Sequence, residues 1–181
     1  MREIYATLEK CGFELDERRE AVEVAALSFF AFSIPFLFPG PQLLTGIAVN
    51  AFLAAAALRV RGWKLLPVIL LPSMGALANC FVFGPLTIFL IYLIPFIWMG
   101  NFLFVYGIKH FALGRGTGFW WAGAVSAVAK SIAIFIPAYA LFSVGVLPQA
   151  MLFPMGPMQL VTAAGGVAIV GAGKEILKGK I

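Results

Sequence analysis

The sequence predicts an all-α polytopic membrane protein, a bundle of six transmembrane helices with both termini cytoplasmic. Three observations lead there. Hydrophobic residues make up 62% of the chain and charged residues 12%, half the ~25% charged share of a soluble domain, and mean hydropathy is +0.99. Seven of the eight acidic residues (Glu3, Glu9, Glu14, Asp16, Glu17, Glu20 and Glu23) precede residue 24, and the last is Glu175. Residues 24–174 therefore carry no side-chain carboxylate. Finally, basic residues mark every second junction between apolar segments, the pattern that orients membrane helices.

Residues 1–21 form a polar, acidic extension, expected to be solvated in the cytoplasm and able to form one amphipathic helix or two short ones broken near Gly12. Its length and acidity do not fit the brief basic start of a cleavable signal peptide. Residues 22–181 form the membrane domain. Its apolar segments are roughly 22–38, 42–58, 65–83, 86–108, 118–142 and 157–174, several of them short for a ~20-residue span. In the fifth, Trp121 and Tyr139 lie 18 positions apart, about 27 Å along a helix, which suits the two rims of a ~30 Å hydrocarbon layer. Prolines 35, 67, 72, 95 and 137 predict kinks, tolerated where other groups satisfy the freed backbone.

Arg18 and Arg19 precede the first segment; Arg59, Arg61 and Lys64 fill the second junction. Lys109, His110 and Arg115 fill the fourth, and Lys174, Lys178 and Lys180 follow the sixth. The remaining junctions, near 39–41, 84–85 and 143–156, have no Lys or Arg. This alternation requires an even number of spans. The net charge of +5 thus belongs to topology, and nucleic acid is not an expected partner.

The three uncharged junctions resemble one another: FPGPQLLTG from Phe38, FGPLT from Phe83 and FPMGPMQLVT from Phe153. Each runs from Phe through Gly-Pro to a polar residue entering the next helix. One reading is shared turn punctuation, since proline suits a helix start. The other is three helix-hairpin repeats whose outer ends converge on one pocket, lined by Gln42, Thr45, Thr87, Gln159 and Thr162. The copies are unevenly spaced, so the residues leave both readings open.

Lys130 lies nine positions from both Trp121 and Tyr139, near the expected midplane, where a cation costs roughly 2.5–3.5 kcal/mol. Gly123, Ser126, Ala127, Lys130, Ala133 and Pro137 share one helix face, opposite Trp121, Val125, Val128, Ile132, Phe135 and Tyr139. Small faces pack on neighbouring helices, so Lys130 is expected to point into the bundle. There it holds an anionic or carbonyl group of a ligand, serves the structure by bonding freed carbonyls or snorkelling, or is left neutral by desolvation. Asn50 shares a face of the second segment with Gly46, Ala54 and Ala57. Trp98 and Asn101 share a face of the fourth, where Trp98 is either packing or a stacking platform for a ligand ring. Ala164, Ala168 and Ala172 predict a close-packing stripe on the sixth.

Several chemistries are excluded. One histidine, His110, cannot supply a bis-His haem or a zinc cluster. Cys11 and Cys80 fall on opposite sides of the expected topology and do not pair. There is no GxSxG and no phosphate loop, so the chain is not expected to be an enzyme, and no cofactor is expected. Proton or sodium coupling usually relies on an intramembrane Asp or Glu, absent here, and the chain lacks an ATP-binding domain.

A chain near 180 residues with six helices, both termini inside, no coupling carboxylate and no ATPase resembles the S component of energy-coupling factor (ECF) transporters. The resemblance implies a plasma-membrane subunit that binds a vitamin or similar micronutrient near the outer face, with a transmembrane coupling protein and ATPases as partners. It also implies a docking surface on the first helix, where Ala21 and Ala25 have the family's Ala-x-x-x-Ala spacing. The N-terminal histidine pattern of the nickel and cobalt members is missing, which points to an organic substrate. Two other classes stay open: an anchor or scaffold subunit of a cytoplasmic enzyme complex, which predicts no pocket, and a passive small-solute facilitator, which predicts a continuous polar path.

Overall fold

The computed structural model describes residues 2–12, 16–38, 40–80 and 82–178, with residues 177 and 178 described by their backbone only. Glu14, Lys180 and the Lys178 side chain lie outside the described residues. All regular structure among the described residues is helical: α1 (Arg2–Leu8), α2 (Glu17–Leu37), α3 (Gln42–Arg59), α4 (Leu66–Asn79), α5 (Leu90–Ile108), α6 (Phe119–Ser143), α7 (Leu152–Met155) and α8 (Pro157–Lys178). Among the described residues, five helical stretches are long and apolar enough to cross a membrane: Glu17–Leu37, Gln42–Arg59, Gly84–Gly114, Phe119–Ser143 and Gln149–Ile176.

The expected third span is the exception. α4 has 14 residues, about 21 Å at the usual rise. Pro67 lies in its first turn, and it stops where Cys80 turns left-handed at φ 63°. α2 begins at Glu17 rather than near 22, because Asp16 caps it, accepting from Arg19 N at 2.8 Å. Glu17 and Glu20 suit the positive end of its dipole.

The long helices close into a ring in the order α2, α4, α5, α6, α8, α3 and back to α2, with α3 and α5 also touching across the middle. Two apolar clusters fill it. One, toward the end bearing the basic junctions, contains Leu53, Ala57, Phe104, Ile108, Ala127 and Val167. The other contains Leu90, Leu93, Ile134, Ala138, Met151 and Met155. Lys130 sits in the sequence of α6 between Ala127 of the first cluster and Ile134 of the second.

The face assignment of α6 holds at its decisive positions. Gly123, Ser126, Ala127 and Lys130 are buried, while Trp121, Val128, Ile132 and Tyr139 are exposed. The expected stripe on α8 is corrected. Ala164, Ala168 and Ala172 are exposed, and the buried face is Thr162, Ala163, Gly166, Val167 and Gly171. The reason is clearance: a Cβ on Gly166 would sit 2.5 Å from the Asn50 backbone, so only glycine admits α3 so closely.

The basic end is tied together by charge and by α1. Glu20 is fully buried. It accepts from Arg61 N at 2.7 Å and Lys64 Nζ at 2.7 Å, with the Arg61 guanidinium at 3.3 Å. This hydrogen-bonded carboxylate holds the Arg61 guanidinium above its ordinary pKa. Arg59 pairs with Glu23 through two guanidinium nitrogens. The N-terminal extension is docked rather than wholly solvated. Leu8 is buried, Gly12 N donates to Leu58 O at 2.8 Å, and the buried Lys109 donates to Lys10 O.

Candidate functional site

Lys130 reaches the ring interior from α6 and is 2% exposed. Its Nζ donates to Asn50 Oδ1 of α3 at 2.6 Å and to Asn101 Oδ1 of α5 at 2.7 Å. The two amides are themselves oriented from behind. Asn50 Nδ2 donates to Gly46 O at 2.8 Å and to Thr162 Oγ1 of α8 at 3.2 Å. Asn101 Nδ2 donates to Ile69 O of α4 at 2.9 Å. One connected network thus joins five helices, each amide committing its donors elsewhere and presenting its oxygen to the ammonium. Lys130 Nζ also lies 5.5 Å from the centre of the Phe104 ring, within cation–π range. These partners are all neutral.

A cavity of about 100 Å³ borders this cluster. Lys130, Asn50, Asn101, Ser73 and Thr162 supply its polar lining deep in the bundle. Gln42, Phe83, Met155 and Gln159 line it nearer the end that lacks basic residues. Each of the three uncharged junctions therefore contributes lining residues to one space. Between these groups the wall is apolar, with Pro35, Val49, Pro72, Leu90 and Ile97.

Six of the residues singled out in the sequence are brought together here: Lys130, Gln42, Thr45, Asn50, Gln159 and Thr162. Thr87 and Trp98 are not among the lining residues. Thr87 closes its own turn, donating to Gly84 O at 2.8 Å and accepting from Phe83 N at 3.0 Å. Trp98 Nε1 donates to Ser73 Oγ at 2.8 Å and Leu70 O at 3.2 Å. With Asn101, it covers the α4 backbone around Pro72. Thr45 Oγ1 likewise reaches back to Phe38 O at 3.2 Å and Gln159 Nε2 to Pro154 O at 3.3 Å, so these junction residues brace their turns as well as facing the cavity.

Asn101 and Ser73 are the polar lining residues that the sequence did not assign to a site; it placed Asn101 only on a face of the fourth segment with Trp98. Asn101 was legible in principle, since an amide deep in an apolar segment needs a partner. Ser73 had no such signal beside Pro72.

Toward the basic end the space stops. Phe104, Leu53, Ala54 and Ala57 are all fully buried and belong to the apolar cluster filling that half. Ala21 and Ala25 are not among the cavity's lining residues; they are exposed on α2, as are Val22 and Phe29. Among the described residues no group of three or more His, Cys, Asp or Glu could hold a metal ion. Cys11 Sγ donates to Arg59 O at 3.2 Å and Cys80 Sγ to Leu77 O at 3.3 Å. The chain matches no protein-family model, no curated protein and no solved structure.

Proposed function

We propose that this chain is the substrate-binding membrane subunit of an uptake system for a small organic micronutrient, on the pattern of an ECF S component. The observation that carries the reading is the buried Lys130 ammonium at the edge of a cavity, hydrogen-bonded only to neutral amides. A buried cation is costly unless a negative group joins it, and no carboxylate exists between residues 24 and 174 to do so. A bound solute supplies the missing charge.

On this reading the chain crosses the plasma membrane six times. α4 counts as a span together with the tighter turn Gly62–Leu65 before it, which adds about 8 Å at ~2.0 Å per residue. The basic end faces the cytoplasm, and the cavity faces outward, where a solute arrives. The apolar packing beneath Lys130 favours a binder over a passive facilitator, which needs a continuous polar path. The cavity itself favours a binder over an anchor or scaffold. No chemical step is assigned. Energy comes from a transmembrane coupling protein and ATPases, with the exposed Ala21 and Ala25 as the docking face.

The test is to purify the chain from its native cells in mild detergent and identify co-purified small molecules by mass spectrometry. A solute recovered in near-stoichiometric amount with the parent and lost from Lys130→Met supports the reading. A parent that carries no solute, and binds none from a cell extract, contradicts it.

A further inference from the structure

We infer that the Lys130 cavity selects a small monocarboxylate. This deepens the binding reading above and rests on it. The ammonium has three N–H donors, and Asn50 and Asn101 take two. The third remains for a ligand. The nearby hydroxyl oxygens already accept from other donors: Ser73 Oγ from Trp98 Nε1 at 2.8 Å and Thr162 Oγ1 from Asn50 Nδ2 at 3.2 Å. Lys130 is the single charged residue among those lining the cavity.

This arrangement distinguishes ligands by charge. The amide oxygens satisfy hydrogen bonds but leave the positive charge uncompensated. A neutral carboxamide accepts the same third hydrogen bond and also leaves it uncompensated. A monoanion cancels it, and charge-assisted bonds are roughly twice as strong as neutral ones. A dianion cancels it and brings a second charge against Val49, Pro72, Leu90 and Ile97, where nothing pairs with it.

A short alkyl carboxylate such as propionate probes this class, with its carboxylate on Lys130 and its alkyl chain along the apolar wall of Val49, Leu90 and Ile97.

The experiment measures binding of propionate, propionamide and succinate to the purified full chain in lipid nanodiscs, by ligand-observed NMR competition. Propionate is expected to bind at least roughly tenfold tighter than the other two, the factor carried by about 1.4 kcal/mol. Asn50→Asp places a carboxylate beside the ammonium from within, and the Thr162 hydroxyl can turn to donate to it. This variant, and separately Lys130→Met, should unfold cooperatively on heating and lose the preference for propionate. The inference is overturned if propionamide or succinate matches propionate, if none of the three binds, or if a folded variant of either kind binds propionate like the parent. Co-purification of a neutral or doubly charged solute would remove the monocarboxylate while leaving the binding reading in place; a parent without any solute removes both.

Discussion

Lys130 Nζ and Asn50 Oδ1 meet at 2.6 Å across 80 residues of sequence, and the contact joins a charged donor to an uncharged acceptor. A stability-driven core would rarely choose this pair, because the amide answers the hydrogen bond and not the charge. A binding site held ready for an anion needs such a partner: one that fixes the ammonium in place without neutralising it.

Sidedness is the first consequence open to test. Single cysteines at Gly40 and Ala150, both exposed at the end without basic residues, should react with an impermeant thiol reagent added outside intact cells. Cysteines placed within 61–64 and 115–117 should react only after permeabilisation. Cys11 and Cys80 are replaced first. Labelling of Gly40→Cys and Ala150→Cys from the cytoplasm alone would reverse the orientation.

The exposed small residues on α2 make a separate prediction. Ala25→Trp adds bulk at an exposed position of α2, so thermal stability and ligand affinity should stay at parental levels. Uptake in cells should fall at least roughly tenfold if a coupling partner docks there, since close helix approach needs small side chains. Unchanged uptake would remove the docking role, and joint loss of binding and uptake would trace the effect to folding.

Ser28 offers a test of packing alone. It is 8% exposed on α2, and its hydroxyl is the buried side-chain polar atom without a hydrogen-bond partner among the described residues. Ser28→Ala removes that unsatisfied group and leaves the helix intact, so stability should rise by about 1 kcal/mol. A loss of stability in a thermal-denaturation comparison would mean that the hydroxyl is bonded in the membrane.

The inward face of α6 and the burial of Lys130 were legible in the sequence because helical periodicity separates small from bulky residues there. Asn50 was legible for the same reason, lying on a face with Gly46, Ala54 and Ala57. On α8 the same logic favoured the wrong stripe. Alanines at regular spacing look like a packing face, yet Gly166 and Gly171 permit closer approach, and a Cβ on Gly171 would meet the Trp120 ring at 2.6 Å. Which small residue wins depends on the partner surface, and the sequence of one helix does not contain it. The shortness of α4 was also hidden. Its apolar run continues past Asn79, but Cys80 adopts a left-handed conformation that composition does not announce. Docking of α1 depends on Leu58 and Lys10 carbonyls accepting from Gly12 and Lys109, and carbonyl pairing leaves no trace in residue type. Trp98 and Thr87 were polar groups in suitable places whose bonds were taken up by nearby backbone and Ser73.

The most direct measurement is the affinity of parent and Lys130→Met for the co-purified solute, by isothermal titration in nanodiscs, with thermal unfolding run alongside. Methionine keeps the length of the side chain and removes its charge. The account predicts a folded variant whose affinity falls by about 1.5–3 kcal/mol, the worth of a hydrogen bond to a charged group, or roughly 10- to 150-fold. A folded Lys130→Met protein that binds the solute as tightly as the parent would contradict it, and would leave Lys130 as a structural tie between α3, α5 and α6.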